Sequence, residues 1–337
     1  MDHSRRRTIM VTAGTVISVL LLYYLFKDIQ FVRLWGVLKS ANYLWLIPNV
    51  VISVVAMYQR AFRWRTMLIP LKRVRFSSLL AATSIGFMAN NVLPLRLGEL
   101  VRAYSLSSQD KDISKSSSLA NIFVERMVFD LMALLAILGV ILTFFGMPWD
   151  SQFETGLSIA IAIAILGLGF IMVMALRPAS AGRLILKYLP FLSDRIKEKI
   201  NDIVIKFSQG LEFLTNSRMV LSVSVQTILI WLLTGISNYF VFMAFGFDLP
   251  VTASYVLLVI VSIVILVPSS PGFVGVYHVG TVWTMTAYGI SQEDALSFAL
   301  VLHAAQYLTN TLMGLYFLKK EHLTLRRLED EAEELID

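Results

Sequence analysis

The residues that decide the fold are two interruptions within long apolar stretches. One is Asn90-Asn91-Val92-Leu93-Pro94-Leu95-Arg96-Leu97-Gly98-Glu99-Leu100-Val101-Arg102, and the other is Val267-Pro268-Ser269-Ser270-Pro271-Gly272-Phe273-Val274-Gly275-Val276-Tyr277-His278. Each puts Pro, Gly and polar groups where a membrane helix would otherwise continue. Lipid tolerates broken backbone only where protein or a watery cavity surrounds it. Two such breaks in corresponding places of two halves therefore predict a transporter site near the membrane midplane.

The composition around these breaks is that of a protein embedded in a membrane. Apolar residues fill 57% of the 337 positions and charged residues 15%, whereas a soluble domain is about half apolar and about a quarter charged. The net charge of +6 fits basic loops that orient membrane helices, so nucleic acid is not expected as a partner. The chain has no cysteine and four scattered histidines, which excludes disulfides and predicts neither a metal site nor a cofactor.

Six uninterrupted apolar spans predict full membrane crossings, and two interrupted regions lie among them. The spans are 8–26, 43–59, 119–145, 156–176, 219–246 and 296–318. The interrupted regions, 77–104 and 252–289, are each either two crossings or a re-entrant hairpin. Each half has only about 14–17 residues, whereas a full crossing needs about 20, so the hairpin is favoured. We predict an all-α polytopic membrane protein with six full spans and two re-entrant helical hairpins.

The basic residues predict the orientation of the chain. If each broken region returns to the side it left, all 29 Lys and Arg residues fall on one side except Lys27, Arg33, Lys39 and Arg126. Cytoplasmic loops carry an excess of Lys and Arg. Both termini are therefore expected in the cytoplasm, with the loops 147–155 and 247–251 outside.

The same layout predicts two inverted repeats within a single integral membrane domain, 1–324. Repeat one covers about 43–145 and repeat two about 219–318, and one further span between them makes the repeats start from opposite sides. The connector 177–218 is expected to form an amphipathic cytoplasmic helix on the membrane surface or to pack on the membrane core. The acidic tail, 325–337, is expected to be disordered or a short surface helix.

Three charged residues, Glu125, Arg126 and Asp130, lie near the inner end of span 119–145. Arg126 and Asp130 are four residues apart, so they share a helix face and can neutralise each other. A charge near the bilayer centre costs about 2.5–3.5 kcal/mol on insertion scales. The cluster is either a structural ion pair that fixes this helix or part of a polar cavity near the cytoplasmic side.

The first break predicts an anion site. Arg96, Glu99 and Arg102 recur every three residues along a helix that Pro94 would start. Guanidinium groups suit phosphate or carboxylate recognition, and a helix N-terminus favours anions. The alternative is that the arginines only anchor to headgroups while Glu99 holds them in place.

The second break and the last span predict neutral polar contacts. Prolines and glycines in the second break turn the backbone and let it approach other segments closely. These residues are Pro268, Pro271, Gly272 and Gly275. The break also offers neutral side chains that can form hydrogen bonds, namely those of Ser269, Ser270, Tyr277 and His278. In the last span, His303, Gln306 and Asn310 form one polar stripe of the helix, which either serves a site or only bonds to neighbouring helices.

No enzyme signature occurs in the chain. It has no GxxxxGK, HExxH or GxSxG motif, so neither catalytic residues nor an ATP-driven pump are expected. The candidate lipid-binding residues are Asn90, Asn91, Pro94, Arg96, Glu99, Arg102, Glu125, Arg126, Asp130, Pro271, Gly272, Gly275, Tyr277, His278, His303, Gln306 and Asn310.

Three of these motifs carry a family resemblance. The run from Asn90 to Arg102, the cluster Glu125-Arg126…Asp130 and the turn Pro271-Gly272…Gly275 resemble the lysylphosphatidylglycerol synthase transmembrane-domain family, which is flippase-like. The resemblance covers nearly the whole chain and implies a membrane domain that moves or presents a lipid across the bacterial cytoplasmic membrane. Bifunctional members add a cytosolic aminoacyl-transferase domain, and none follows here, so lysyl transfer is not expected. Many relatives carry Glu where His278 stands, so no role that requires an acid is assigned there.

Three functions stay open at this point. The first is a flippase-like transporter of a phosphate-bearing lipid, either a phospholipid or a polyprenyl phosphate, with Arg96 and Arg102 on the phosphate. The second is a lipid-binding membrane partner of a cell-envelope enzyme, and the third is an ion or small-solute transporter. A homo-oligomer is compatible with each of them. Lipid transport requires a groove that opens sideways, whereas a small solute requires a closed aqueous cavity.

Overall fold

The computed structural model describes residues 3–93, 97–145, 209–267 and 269–328, together with scattered residues between 155 and 166. All regular structure in these residues is helical. The main helices are α1 (His3–Phe26), α2 (Phe31–Ser40), α3 (Leu46–Leu68), α4 (Phe76–Val92), α5 (Gly98–Gln109), α6 (Lys115–Val124), α7 (Leu131–Phe144), α8 (Ser217–Phe245), α9 (Val251–Val264), α10 (Val276–Ala287) and α11 (Gln292–Lys320).

Several of these helices have the length and composition of membrane spans. Three stretches qualify by themselves: Tyr43–Leu68, Lys115–Phe144 and Ser217–Phe245. A fourth candidate is the pair Thr12–Phe26 and Phe31–Ser40, which bends by 90°. The described part of the chain is therefore all-helical and has the character of a membrane protein, as predicted. The number of spans stays a prediction, because most of 156–176 lies outside the described residues.

Helices α4 and α5 fold back on each other across the first break. Gly86 and Gly98 meet at the crossing, where a Cβ on Gly86 would lie 2.8 Å from the Gly98 carbonyl oxygen. Residues without side chains let two helices approach this closely. Asn90 Oδ1 accepts a hydrogen bond from the Gly98 N–H at 2.9 Å, so the Asn90 side chain satisfies a backbone donor at the start of α5. The predicted start of this helix, Pro94–Arg96, lies outside the described residues.

The second break turns through three residues with left-handed backbone. Gly272 has φ +71°, Phe273 +59° and Gly275 +89°. Glycine adopts this region freely, whereas a phenylalanine there is strained. The turn rests on α1, because Ser18 Oγ accepts a hydrogen bond from the Ser270 N–H at 3.0 Å.

The two breaks contact each other. A Cβ on Gly272 would lie 3.2 Å from the carbonyl oxygen of Asn91 at the end of α4. The Asn91 side chain also donates to α11, at 3.2 Å from the Tyr307 carbonyl oxygen and 3.0 Å from Thr311 Oγ1. The end of α4 is thereby fixed against both the second break and the last long helix.

Three helices of the first predicted repeat pack on helices of the second. The pairs are α3 with α8, α4 with α11, and α7 with α9. At the α3–α8 crossing, Asn49 Nδ2 donates to Ser237 Oγ at 2.8 Å, and Ser237 Oγ donates back to the Asn49 carbonyl oxygen at 3.0 Å. Such interhelical hydrogen bonds hold helices together where no water competes. The inverted-repeat relation itself stays a prediction.

One predicted boundary was wrong in a way that matters for the site. The span predicted to end at residue 59 continues as α3 to Leu68. Arg60 and Arg63, which were assigned to a cytoplasmic loop, therefore lie within the helix, and Arg63 is fully buried. The charges ended the apolar run in the sequence, but in the fold Glu125 and Asp130 neutralise Arg63 from another segment.

The predicted connector and tail are described only at their ends. Residues 177–208 of the connector and 329–337 of the tail lie outside the described residues, as does the outer loop at 147–154. Close to the start of α8, Leu211 and Phe213 are buried against the membrane helices. This end of the connector packs on the core, which is one of its two predicted arrangements.

Candidate functional site

A cavity of about 710 Å³ lies among the helices of both predicted repeats. Helices α3 and α4, together with the segment from α6 to α7, form one part of its wall, while α8, α9 and α11 form the other. Both breaks reach it, the first through Asn91 and the second through Phe273. A volume of this size is typical of ligand sites.

One end of the cavity is charged. Its charged lining residues are Arg60, Glu99, Arg126 and Asp130. The guanidinium carbons of Arg60 and Arg126 lie 5.2 Å and 5.1 Å from the centroid of the Phe87 ring. Because a cation is attracted to an aromatic face, Phe87 holds the two guanidinium groups in the same part of the cavity wall.

Arg126 is partly neutralised, whereas Arg60 is not. Arg126 Nη1 donates to Asp130 Oδ2 at 3.3 Å, and its Nε lies 3.7 Å from Glu99 Oε1. The ion pair predicted between Arg126 and Asp130 is thus confirmed. In the described part of the chain, no carboxylate lies within ion-pair distance of Arg60. Arg60 therefore presents a positive charge to the cavity.

A buried ionic network supports this end from behind. Arg102 donates two parallel hydrogen bonds to Glu125, at 2.8 Å to Oε1 and 3.0 Å to Oε2. Arg63 Nη2 lies 2.9 Å from the same Oε1, at an angle that gives an ion pair without a hydrogen bond. The Arg102 guanidinium also stacks 4.1 Å from the Trp64 ring centroid. The buried interior would strongly disfavour any one of these charges alone. The Glu125 carboxylate and the two arginines offset this cost because their charges are paired.

Asp130 joins the network to the cavity wall. Its Oδ1 accepts from Arg63 Nη1 at 2.6 Å and from the Trp231 indole N–H at 3.1 Å. Arg63 Nη1 also donates to Thr227 Oγ1 at 2.7 Å. The carboxylates project from a π-helical turn, Glu125–Asp130, between α6 and α7. Such turns are frequent at functional sites, and this one directs Glu125 inward while Arg126 faces the cavity.

The second polar region of the cavity is neutral. Tyr277 stacks on His303 with centroids 4.4 Å apart, and its hydroxyl donates to Gln306 Oε1 at 3.1 Å. Gln306 Nε2 in turn donates to Asn238 Oδ1 at 3.0 Å. Asn310 lies further along the same helix and also lines the cavity. These groups can exchange hydrogen bonds with a headgroup without adding charge.

Apolar side chains at the surface form one rim of the cavity. Phe123 and Met127 lie on one side and Ile263 and Leu266 on the other, with exposed fractions of 40% to 59%. The wall between the rim and the polar groups is built from leucine, isoleucine and valine residues of α7 and α9. The cavity thus combines a polar interior with an apolar surface.

The structure distributes the candidate residues into three groups. The cavity is lined by Asn90, Asn91, Glu99, Arg126, Asp130, Tyr277, His303, Gln306 and Asn310. Six further candidates lie outside the lining and support it: Arg102, Glu125, Pro271, Gly272, Gly275 and His278. Pro94 and Arg96 lie outside the described residues.

Sequence reasoning missed Arg60, Arg63, Trp231 and Asn238. Arg60 and Arg63 are three residues apart at the end of an apolar span, which is a spacing that places both on one helix face. That spacing could have identified them. Trp231 and Asn238 carry no comparable signal, because single polar groups in long apolar helices commonly serve helix packing.

Comparison with known proteins agrees with this architecture. A family model described as the lysylphosphatidylglycerol synthase TM region matches residues 11–314. Glycosyltransferase AglD of Haloferax volcanii is 24% identical over 362 residues, which cover 98% of this chain and 57% of AglD. A UPF0104 membrane protein of Methanothermobacter thermautotrophicus is 24% identical over 258 residues, which cover 71% of this chain and 74% of that protein. The chain thus spans little more than half the length of AglD, and no solved structure matches it.

Proposed function

The chain belongs to the lysylphosphatidylglycerol synthase transmembrane-region family, and from this premise we propose that it binds a phosphate-bearing lipid and moves it across the cytoplasmic membrane. The protein acts as a flippase-like carrier and not as an enzyme. Its cargo is a phospholipid or a polyprenyl phosphate. The cavity carries the proposal, because it joins an unpaired cation to an apolar rim.

The phosphate contact of the proposal is Arg60, assisted by Arg126. Arg60 has no carboxylate partner in the described part of the chain, and Arg126 contacts the same Phe87 ring. An anion is the natural complement of an uncompensated guanidinium in a site with little water. Arg102 takes a different role from the one that its spacing suggested, because Glu125 occupies both of its terminal nitrogens. It positions Glu125, and through Glu125 it fixes Arg63.

The acyl or prenyl chains leave through the apolar rim. Phe123, Met127, Ile263 and Leu266 are exposed at the protein surface, and such side chains suit contact with lipid tails. A small solute would need a cavity closed against hydrocarbon, so the rim favours lipid over an ion or small solute.

The direction of movement follows from the predicted topology. With both termini in the cytoplasm, the charged end of the cavity lies nearer the cytoplasmic side, and the neutral groups of α11 run from its middle toward His303 in the outer half of the helix. A phosphate meets strong contacts first and weaker, neutral contacts later, which favours release. The pairing of α3 with α8, α4 with α11 and α7 with α9 supports the inverted repeats that alternating access commonly uses.

The phosphate contact is tested by replacing Arg60 with glutamine. Loss of a charged hydrogen-bond donor costs about 1.5–3 kcal/mol, so binding should weaken by about tenfold or more. Binding of fluorescent phosphatidylglycerol and of a polyprenyl phosphate to the purified protein measures the effect. Arg65→Gln is the matched control, because Arg65 lies on the same helix with its side chain exposed. Equal binding by the two variants would remove Arg60 from the site.

The topology is tested by single cysteines on the cysteine-free background. Lys111→Cys is exposed between α5 and α6, and Asp248→Cys is exposed between α8 and α9. An impermeant thiol reagent added to intact cells is expected to label position 248 and not position 111. Labelling of position 111 alone would invert the topology.

A second candidate function is a lipid-binding partner that presents cargo to an enzyme without moving it. The lengths of the relatives favour it as the alternative: AglD, named a glycosyltransferase, extends well beyond the part that this chain matches. Reconstitution in vesicles separates the two functions. A carrier makes fluorescent lipid of the inner leaflet accessible to an impermeant quencher, whereas a presenting partner binds the lipid and leaves the leaflets unequal.

A further inference from the structure

His278 and His303 form a pair of imidazoles that the phosphate site does not use. His278 is buried behind the cavity wall, with 4% of its surface exposed, and His303 lines the cavity. His303 Nδ1 lies 3.4 Å from His278 Nε2, and the ring centroids are 4.8 Å apart. The pair connects the second break to the cavity.

The hydrogen bonds of the pair fix where the protons lie. The Gly275 N–H donates to His278 Nδ1 at 3.3 Å, so this nitrogen must be unprotonated. A neutral imidazole carries its one proton on the other nitrogen, so His278 Nε2 donates to His303 Nδ1. His303 Nδ1 is then an acceptor as well, and its proton lies on Nε2. The two rings form a directional chain that begins at the backbone of the break.

The two hydrogen bonds leave no free nitrogen on either imidazole that could accept an additional proton. A proton on His278 Nδ1 would face the Gly275 N–H and remove the bond that caps α10. A proton on His303 Nδ1 would face the His278 N–H and break the bond between the rings. In either case, two donors oppose each other and one ring must turn. Protonation and the present conformation of the break are therefore mutually exclusive.

The described surroundings of the pair offer no charged side chain that would stabilise a cation, and a backbone hydrogen bond links His303 to Gly272 of the second break. The titratable groups that face it are the phenol rings of Tyr277 on α10 and Tyr307 on α11, at centroid distances of 4.4 Å and 6.0 Å from His303. From α1, Ser18 reaches the turn, and from α8, Asn238 reaches Gln306; neither titrates. In the described part of the chain, no Asp or Glu lies within ion-pair distance of either imidazole.

The break itself is poised to move. Phe273 holds a left-handed backbone conformation that is strained for this residue type. Gly272 and Gly275 give the same segment the conformational freedom that a rearrangement requires. Because Phe273 also lines the cavity, a change in the turn alters the cavity wall.

We propose that the His278–His303 pair is a proton-binding site, and that uptake of one proton releases the second break from α10 and opens the cavity at that end. The role of this proton site rests on the proposed function, because the proton would couple to lipid movement. The chemistry is a protonation equilibrium and needs no other reactant.

Nitrogen NMR of the histidine-labelled full-length protein in lipid nanodiscs tests the site, since only four histidines contribute signals. At alkaline pH, two of them are expected as the tautomer with the proton on Nε2. On acidification, these two should change together in one single-proton step. Independent titration of all four histidines, or no change in the pair down to pH values at which the protein unfolds, would overturn the proposal.

Two conservative variants assign the step to the hydrogen bonds. His278→Asn keeps an acceptor near the position of Nδ1 and loses the donor toward His303. His278→Gln keeps a donor near the position of Nε2 and loses the acceptor for Gly275. In each variant the protein is expected to stay folded while His303 changes at a different pH from the joint step of the parent. A His303 transition that stays at the parent's pH in both variants would contradict the pairing.

Release of the break is measured by Ser270→Cys labelling. The labelling rate of Ser270→Cys is compared with that of the double variant Ser270→Cys/His303→Gln. Between pH 8 and pH 5, the ratio of the two rates is expected to rise by about fivefold, because loss of one net hydrogen bond shifts the population of the open turn by about this factor. Comparing the two proteins at the same pH cancels the ionisation of the thiol. A constant ratio would overturn the opening. Neither readout uses lipid binding, so failure of the Arg60 test and failure of this proposal are distinguishable.

Discussion

Replacing Glu125 with glutamine is expected to remove most of the folded protein. Glu125 is fully buried and is shared by Arg63 and Arg102. Arg63 keeps Asp130 in the variant, but Arg102 loses its only carboxylate in the described part of the chain. Removing one partner of a buried ion pair costs about 3–5 kcal/mol, and the melting temperature should fall by on the order of 10 °C. Size-exclusion chromatography of heated, detergent-solubilised protein measures the loss.

A double variant identifies the cause of that loss. Arg102→Met with Glu125→Gln removes the stranded cation and leaves an apolar side chain against Trp64. Much of the lost stability should return, because neighbouring groups couple strongly. If the double variant is less stable than Glu125→Gln alone, the unpaired charge is not the origin of the effect.

Asp112→Asn is the matched surface control. Asp112 lies in the loop between α5 and α6 and accepts from Lys72 Nζ at 2.6 Å. This hydrogen bond lowers the pKa of the Asp112 carboxyl, and the bonds to Asp110 and Asp112 raise the pKa of Lys72. Because the pKa of Asp112 is lower in the folded state than in the unfolded state, its hydrogen bond stabilises the fold at pH values above the unfolded-state pKa of about 3.9. This stabilisation is lost as the pH falls through the folded-state pKa. Since Asp112 is exposed, the variant should melt close to the parent at neutral pH.

Gly98→Ala is expected to separate α4 from α5. An added Cβ would clash with the Gly86 carbonyl oxygen and with the Asn90 side-chain carbon and oxygen that cap the helix. Backbone on one side and a hydrogen-bonded amide on the other leave no room, so the crossing must widen. Overpacking of this kind costs about 1–3 kcal/mol, and loss of the cap adds about 1 kcal/mol. Both lower stability and shift Arg102 relative to Glu125.

Gly139→Ala serves as the control of opposite sign. Gly139 lies within α7 with ordinary helical backbone, and a Cβ there would meet nothing within 4 Å. Alanine at such a position stabilises a helix by about 0.5–1 kcal/mol. A drop in stability of equal size in both variants would point to a general intolerance of the membrane domain. It would not support a close crossing at Gly98.

The sequence was most informative where a local rule applies. The two breaks and the Arg126–Asp130 pair both follow from residues that violate or satisfy the periodicity of one helix. The stripe of His303, Gln306 and Asn310 was visible for the same reason. These features require no knowledge of which helices are neighbours.

The remainder of the site depends on neighbours far away in the chain. Arg102 looked available for phosphate because its spacing with Arg96 is local, whereas its partner Glu125 comes from another helix. Arg63 was placed in a loop because its charge appeared to end a span, and Asp130 neutralises it from a distance of 67 residues. Charge neutralisation between distant segments leaves no periodic signal, so spacing alone cannot assign it.

The buried position of Arg63 has a consequence for biosynthesis. Helix α3 leaves the ribosome before either carboxylate that neutralises Arg63 has been made, and its span is the least apolar of the three. Until then, the bare guanidinium opposes insertion, by less than the about 2.5–3.5 kcal/mol that an arginine at the bilayer centre costs, because Arg63 lies near the end of α3. The order of synthesis therefore makes α3 the step at which membrane integration is most dependent on the translocation machinery. Its insertion is completed only when the helix that carries Glu125 and Asp130 arrives.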